Sequence, residues 1–499
     1  MKQRVKVKLT YETFLFVIVC MINLFFVYHH VCARDEAQAW LIAKDNTLKT
    51  LFNVTSYEGH PCLWFLVLMP FARNGLPYIS IKLISFTIMS VTLALILFKL
   101  SLPRWAKTLA ALSPMCIGEF VTPARCYCLC AFFMVLLTLI YNKRNEKPIS
   151  YGILLSFLLQ THIVMGGFVI ASCLAWSFEL LNKIRMKELR KDCLFKNIIG
   201  LLLPLASALF LLWEFRDIGK VSGHSATEIT VIRIISKMIR SLWGQMEYLF
   251  GPYCVFPMMI IIALLLFCIC RRDDSLIKPS VILVTGLLWL VWINAFVYHC
   301  HFQVVTWMYL FLWFFYVVFC NFPELQIKTL DLLKINPKNE LIILVSVITL
   351  TGVWIGIGDN VWRELLIPYS ASKDAAEFLN QLPDDIVIIE NDEEYCCAVV
   401  PYLKNKIIFD PFKEIEASYI DRNPDNKPSE ISLQTAIERC HRQFPEAKGI
   451  VILCSSENNK ITVSDEEINN MVLCWSSMIL HDKGVIKENY DIRYLPLGL

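Results

Sequence analysis

Continuous apolar runs recur from about residue 12 to residue 358, most of them near the ~20 residues a helix needs to cross a bilayer. Backbone polar groups in hydrocarbon must be paired within their own segment, so these runs are predicted to be helices. Barrel spans would alternate apolar and polar positions, and these runs do not. The run 61–71 breaks the pattern. At about eleven residues it is too short to cross, and it is expected to be re-entrant or half-buried, where it would line a cavity. The pattern therefore predicts an α-helical polytopic membrane region over residues 1–362, with about eleven or twelve spans.

After residue 362 the periodicity changes. Short β-rich runs at 386–390, 407–409 and 449–453 alternate with helical patterns at 372–382 and 433–444. That alternation predicts a small α/β domain over residues 363–499. It carries no phosphate-binding glycine loop, so no nucleotide is assigned to it. Residues 423–428, Asn-Pro-Asp-Asn-Lys-Pro, read as a surface turn.

Composition agrees with the membrane assignment. Of 499 residues, 56% are hydrophobic and 18% charged, and the mean hydropathy is +0.52. A net charge of +3 gives no reason to expect nucleic acid as a partner. Several of the 19 cysteines (Cys126, Cys128, Cys130, Cys268, Cys270) lie inside apolar runs, where they serve as small hydrophobes. The Cys126-x-Cys128-x-Cys130 spacing is too tight for a zinc knuckle, and no metal site is predicted. Cys396, Cys397, Cys440, Cys454 and Cys474 do not make a disulfide framework. The first apolar run, 14–31, follows Lys2, Arg4, Lys6 and Lys8. With no small-residue cleavage site after it, it reads as an uncleaved first span.

Lys and Arg cluster at the N-terminus and at 99–107, 143–147, 183–196, 271–278 and 328–338. If these clusters are cytoplasmic, the opposite face receives Asp35, Arg125, the turn at Gln160-Thr161-His162, the loop 215–248, the stretch Tyr298-His299-Cys300-His301, and everything after about residue 359. Most of the unusual polar residues thus converge on one face.

Among them, Asp35 and Glu36 follow the first span. A carboxylate at the membrane edge can accept a proton from an attacking hydroxyl, and partial burial would raise its pKa. The plain alternative is that the pair only marks the end of a span. The following Trp40-Leu41-Ile42-Ala43 suggests an amphipathic helix in the interface. In Glu58-Gly59-His60-Pro61, His60 could bind a phosphate or orient a carboxylate, or it could simply begin a helix. Arg125 at membrane depth calls for an anionic partner or for snorkelling, and Glu119 is one available partner. His162 sits at the outer end of a helical hairpin, as a ligand contact or as a satisfied polar end. His299 and His301 suit phosphate or sugar contact better than metal. Asn53-Val54-Thr55 matches a glycosylation acceptor, a triplet that also arises by chance. The acids 384–385 and 392–394 read as solvated loop charges.

In order and spacing these motifs resemble the GT-C superfamily of membrane glycosyltransferases, most of all bacterial proteins of the protein-mannosyltransferase and lipid A aminoarabinose-transferase type. Asp35-Glu36 matches the acidic motif after the first span. His60-Pro61 matches a His-Pro start to the next segment, Arg125-Cys126-Tyr127 an Arg-x-Tyr, and Thr161-His162 a His-bearing outer turn. The join at Pro368-Tyr369-Ser370 is similar as well. The resemblance covers roughly residues 1–380. Tyr298-His299-Cys300-His301 departs from the Arg-His that such chains often carry before a late span.

The resemblance implies a polyprenyl-phosphate sugar as donor substrate, no cofactor, and a glycan, lipid or protein hydroxyl as acceptor. It implies Asp35 as base or orienting group, supported by Glu36. The donor phosphate or the substrate would be met by His60, Arg125, Tyr127, His162, His299 and His301. Inversion at the anomeric carbon is expected, with the cytoplasmic N-terminus and the extracytoplasmic tail on opposite sides of a bacterial plasma membrane. A transporter or flippase of a lipid-linked or polar solute is the alternative. Such proteins place charges near the midplane and often show repeats, and neither is evident here. A structural protein that kept the fold without activity is a third reading.

Overall fold

The computed structural model describes residues 10–102, 104–188, 190–221, 231–255, 258, 259, 262, 274–297, 301–321, 354, 362, 368–426, 429–455, 460–464, 467, 470–477 and 488–496. The helical region runs α1 (Tyr11–His29), α2 (Arg34–Asp45), α3 (Leu48–Glu58), α4 (Leu63–Ala72), α5 (Ser80–Phe98), α6 (Arg104–Ala111), α7 (Tyr127–Ile140), α8 (Pro148–Leu159), α9 (Gly166–Arg185), α10 (Lys191–Glu214), α11 (Ile218–Val221), α12 (Val231–Phe250), α13 (Asp274–Phe296) and α14 (Thr306–Asn321). Five apolar helices among the described residues are long enough to cross a membrane, those of α1, α5, α9, α10 and α13. The shorter helices α4, α7, α8 and α14 are apolar too. The remaining expected spans fall largely on 256–273 and 322–367, most of which lies outside the described residues.

The short run 61–71 forms α4. Its 10 residues rise about 15 Å, half the hydrocarbon core of a bilayer. It packs along α2 through buried Trp64, Phe65, Leu68 and Met69.

Helix α2 corrects one expectation. Residues 36–43 are all buried, so the helix does not lie in a membrane interface. The tail covers it from the other side: Leu41 packs with Cys397 and Ile420. The side chain of Gln38 exchanges two hydrogen bonds with the Ile420 backbone, at 2.9 and 2.7 Å.

Between α6 and α7 the chain is irregular over residues 112–126 and, from residue 113 on, nevertheless almost entirely buried. Non-helical backbone among membrane helices persists only where protein groups satisfy it. Here Asn23 on α1 donates to the Cys116 carbonyl and accepts from the Gly118 N–H. Tyr309 on α14 donates to the Met115 carbonyl, and Ser85 on α5 approaches the carbonyls of Phe120 and Val121. The end of α1 is held in the same way. Lys82 Nζ donates to the Val27 and His30 carbonyls at 2.7 Å each, a cation at the negative end of a helix.

The tail is the expected α/β unit. Helix α15 (Ser372–Leu379) and helix α16 (Leu433–Gln443) flank strands β1 (Ile386–Glu390), β2 (Ile408–Asp410), β3 (Ile415–Glu416), β4 (Ile431–Ser432), β5 (Gly449–Ser455), β6 (Ile461–Thr462), β7 (Val472–Ser476) and β8 (Tyr490–Pro496). The main sheet has the order β3-β2-β1-β5-β8-β7. Its centre β2-β1-β5 is parallel, and β8 and β7 add on antiparallel. Both faces are buried. Ile388, Val451 and Leu453 pack with α15, while Ile389, Ile450 and Ile452 pack with α16. That explains why these strands read as unbroken apolar runs rather than alternating ones. Strand β8 interleaves Asp491 and Arg493 with apolar residues, and the sequence reading passes over both it and the short, largely exposed edge strand β7.

One smaller expectation changes. Asp392 and Glu393 are buried rather than solvated loop charges. The Asn53 triplet lies within α3, with Asn53 exposed and Thr55 fully buried.

Candidate active site

Asp35 and Glu36 are neighbours on the first turn of α2, yet they face different surroundings. Successive helical residues point about 100° apart. Glu36 turns inward, 2% exposed. Both its oxygens lie 3.0 Å from His30 Nε2, and they also accept the N–H groups of Ala33 and Ala124 at 2.9 and 2.8 Å. It thus closes the start of α2 and pins the irregular segment one residue before Arg125. Burial opposes its ionisation, but His30 and these donors outweigh that and hold its carboxyl below the usual range. Glu36 is an anchor that positions the site rather than part of its surface.

Asp35 faces a cavity of about 610 Å³. Its Oδ2 lies 3.0 Å from Arg125 Nη1, so Arg125 has its anionic partner in Asp35. Arg34 Nε approaches Asp35 at 3.7 Å and itself reaches Glu394 of the tail at 2.7 Å. Burial pushes the Asp35 carboxyl up, but Arg125 and Arg34 more than offset it and hold the group below the ordinary carboxylate range. The expectation that burial would raise it is overturned by these two guanidinium groups. Asp35 is therefore an ionised hydrogen-bond acceptor and a weak base.

Gly59 ends α3 in the left-handed region, φ 71°, which glycine adopts without strain. The chain reverses there and brings His60 to the cavity wall. His60 Nδ1 donates to the Glu58 carbonyl at 3.3 Å, leaving Nε2 as a lone pair. Burial and Arg125 push its pKa down to about 4, against the pull of Asp35, so the ring is neutral at neutral pH. The His60 ring meets His162 edge to face at 5.2 Å. Tyr127 stacks on His162 at 5.3 Å and lies under Arg125 at 5.4 Å. Tyr127 backs these two groups and is not itself among the cavity-lining residues.

Three lining residues offer donors that nothing among the described residues takes up. In His162, 2% exposed, Nδ1 accepts the Val164 N–H, which places the proton on Nε2, and that atom has no partner. Trp64 Nε1 and Gln303 Nε2 are likewise buried without a partner. Buried donors are rarely left unsatisfied, and each one calls for an explanation. The same cavity is lined by apolar Ile218, Ile293, Phe296 and Val297, with Ile218 close to Gly59.

Trp64, Gln303, Glu58 and Arg422 are the residues that the sequence reading did not select. Glu58, 5% exposed at its side chain, accepts from Gln38 at 2.7 Å and lies 3.6 Å from Arg422. Its burial outweighs both partners and raises its carboxyl pKa. Arg422 comes from the tail. Of the remaining predicted residues, His299 lies outside the described residues, and His301 opens the short turn His301–Val305 that carries Gln303.

One group among the described residues brings possible metal ligands together, His30, Cys32 and Glu36, with donor atoms within 4.8 Å of one another. The Glu36 oxygens are already engaged by two backbone donors and His30, which is the pattern of a hydrogen-bonded anchor. Comparison of the chain with protein-family models and with curated proteins found no match.

Proposed function

We propose that this protein is a membrane glycosyltransferase that moves a sugar from a polyprenyl-phosphate donor to an acceptor hydroxyl. The observation that carries the reading is the mixed lining of one cavity, which brings Asp35, Arg125, His60 and His162 together with Ile218, Ile293 and Phe296. A polyprenyl-phosphate sugar combines both characters. Its lipid would lie against the apolar lining residues, and its phosphate and sugar oxygens would meet the polar ones. In this reading the cavity and tail face the non-cytoplasmic side of the plasma membrane.

The acceptor oxygen attacks the anomeric carbon while the bond to the phosphate oxygen breaks, and the phosphate leaves with the bonding electrons. Asp35 accepts the hydroxyl's hydrogen bond and so orients the attack. As an ionised weak base, it takes the proton late, as the new bond forms. Arg125 and the His162 Nε2–H meet charge growing on the departing phosphate. Inversion at the anomeric carbon follows from a single displacement.

The test is thermal stabilisation of the purified full chain by a panel of polyprenyl-phosphate sugars, with product analysis for wild type and Asp35→Asn. One sugar lipid should raise the melting temperature by binding the folded state. Wild type should form product, and D35N should do so about a hundredfold more slowly or worse. Full activity in D35N removes Asp35 from its role. Binding with movement of the lipid across a bilayer, and no transfer, favours a flippase.

A further inference from the structure

The tail does more than cover α2. Residues 417–423 lie along it as a strap held at three points. Ile420 exchanges two backbone hydrogen bonds with Gln38, Ser418 donates to Asp45, and Ile420 packs on Leu41. This docking delivers Arg422 to the cavity wall. Its guanidinium makes no hydrogen bond among the described residues. Its one ion pair among the described residues, Nε to Glu58 Oε2, is long at 3.6 Å, and the side chain is 32% exposed. The adjacent acid, Asp421, is turned away, accepting the Asn423 N–H and the Asn426 side-chain amide at 3.0 and 2.8 Å. A planar fork of five N–H groups, fixed at a cavity and held there only by this long ion pair, suits an oxyanion. Arg125 differs in both respects: it comes from the helical region and is paired to Asp35 at 3.0 Å.

Resting on the glycosyltransferase reading, we infer that Arg422 forms a second, tail-built oxyanion subsite, so that the acceptor is an anionic molecule bearing a phosphate or a carboxylate. Glu58 holds the fork in place when the subsite is empty and yields it when the oxyanion arrives. The tail then takes part in choosing the acceptor, while Arg125 and His162 serve the donor.

The experiment uses the full chain in detergent, with undecaprenyl phosphate filling the donor position and inorganic phosphate or glucuronate as the second ligand, read by thermal stabilisation. Wild type should be stabilised further by the oxyanion after saturation with the lipid. Preference for phosphate or for glucuronate distinguishes the two acceptor chemistries. R422Q should weaken oxyanion binding about tenfold and leave lipid affinity within about twofold, with R422K in between. E58Q, which keeps an oxygen for Gln38 but releases the guanidinium, should strengthen oxyanion binding several-fold, an effect that a merely structural Arg422 would not produce. Loss of lipid and oxyanion binding together in R422Q places Arg422 in the donor site and overturns the inference. Unchanged oxyanion binding in R422Q, or none in wild type, overturns it as well. If undecaprenyl phosphate does not bind wild type, the glycosyltransferase reading fails separately, and the oxyanion comparison is still read without the lipid.

Discussion

Two parts of the molecule gather charge, the cavity above α2 and the strand ends of the tail, and they treat it in opposite ways. At the tail, Glu390, Asp392, Glu393 and Asp410 are buried together at the ends of parallel strands and the turn that follows. Part of that charge is answered locally, while Asp392 Oδ2 has no hydrogen-bond partner among the described residues. Lys413 pairs with Glu393 at 2.5 Å, and Lys460 lies 3.7 and 3.8 Å from Asp392 and Glu393. Asp410 accepts the N–H groups of Phe412 and Lys413. At the cavity the charges are fewer, Asp35 is paired with Arg125 and Arg422 only loosely with Glu58 at 3.6 Å, and the lining residues Trp64, His162 and Gln303 hold donors with no partner among the described residues. Charge density marks a largely paired corner in one region. Unused hydrogen-bonding capacity in residues that line a cavity marks the candidate site in the other.

The largest effect is expected at the anchor between the two. Glu36→Ala strands His30 and two backbone donors and releases the segment before Arg125. Losing one side of so buried a pair costs about 3–5 kcal/mol. A large drop in melting temperature together with loss of transfer should be seen by calorimetry and product assay. Transfer lost at unchanged stability would instead make Glu36 a direct participant.

Next, Lys413→Met removes a partner from the tail cluster. A loss of about 2 kcal/mol in stability is expected, with transfer by the remaining folded protein unchanged. If transfer falls while the melting temperature holds, the tail cluster is a working site and the contrast collapses.

A third test lies at the seam. Glu488 Oε1 accepts the Arg34 N–H at 2.8 Å, while its Oε2 is buried without a partner. Burial, partly countered by Ser370 and Arg34, raises its carboxyl to about 7. A raised carboxyl contributes stability that is complete below its unfolded value, 4.5, and is lost as pH rises through about 7. The wild-type melting temperature should therefore fall between pH 6 and pH 8 by more than that of Glu488→Gln. Parallel pH profiles would remove Glu488 as the cause.

The smallest effect on the protein itself belongs to Trp64→Phe. The indole N–H has no protein partner to lose, so stability should change little beyond the smaller ring. Donor-lipid affinity should fall about tenfold, as for one lost hydrogen bond to a charged group. Unaltered affinity, measured by the same stabilisation assay, would mean that the free donors do not face the ligand.

The sequence by itself determined which of the described segments are apolar helices, the change to an α/β tail, three of its strands and its two longer helices. Those signals are local, carried by run length and periodicity. It also singled out Asp35, His60, Arg125 and His162, because charged and imidazole groups stand out in apolar surroundings. Only the tertiary structure decided that Asp35 faces the cavity while Glu36 is buried, since adjacent helical residues diverge and the chain does not state which side is covered. It alone decided that Arg125 and Arg34 lower the Asp35 carboxyl, because a pKa depends on neighbours brought from elsewhere in the chain. It alone brought Arg422 from the tail to the same cavity as Glu58 and showed that Trp64 and Gln303 keep unused donors. Tryptophan and glutamine near span ends look ordinary in sequence, and whether a donor is satisfied is a property of what packs around it.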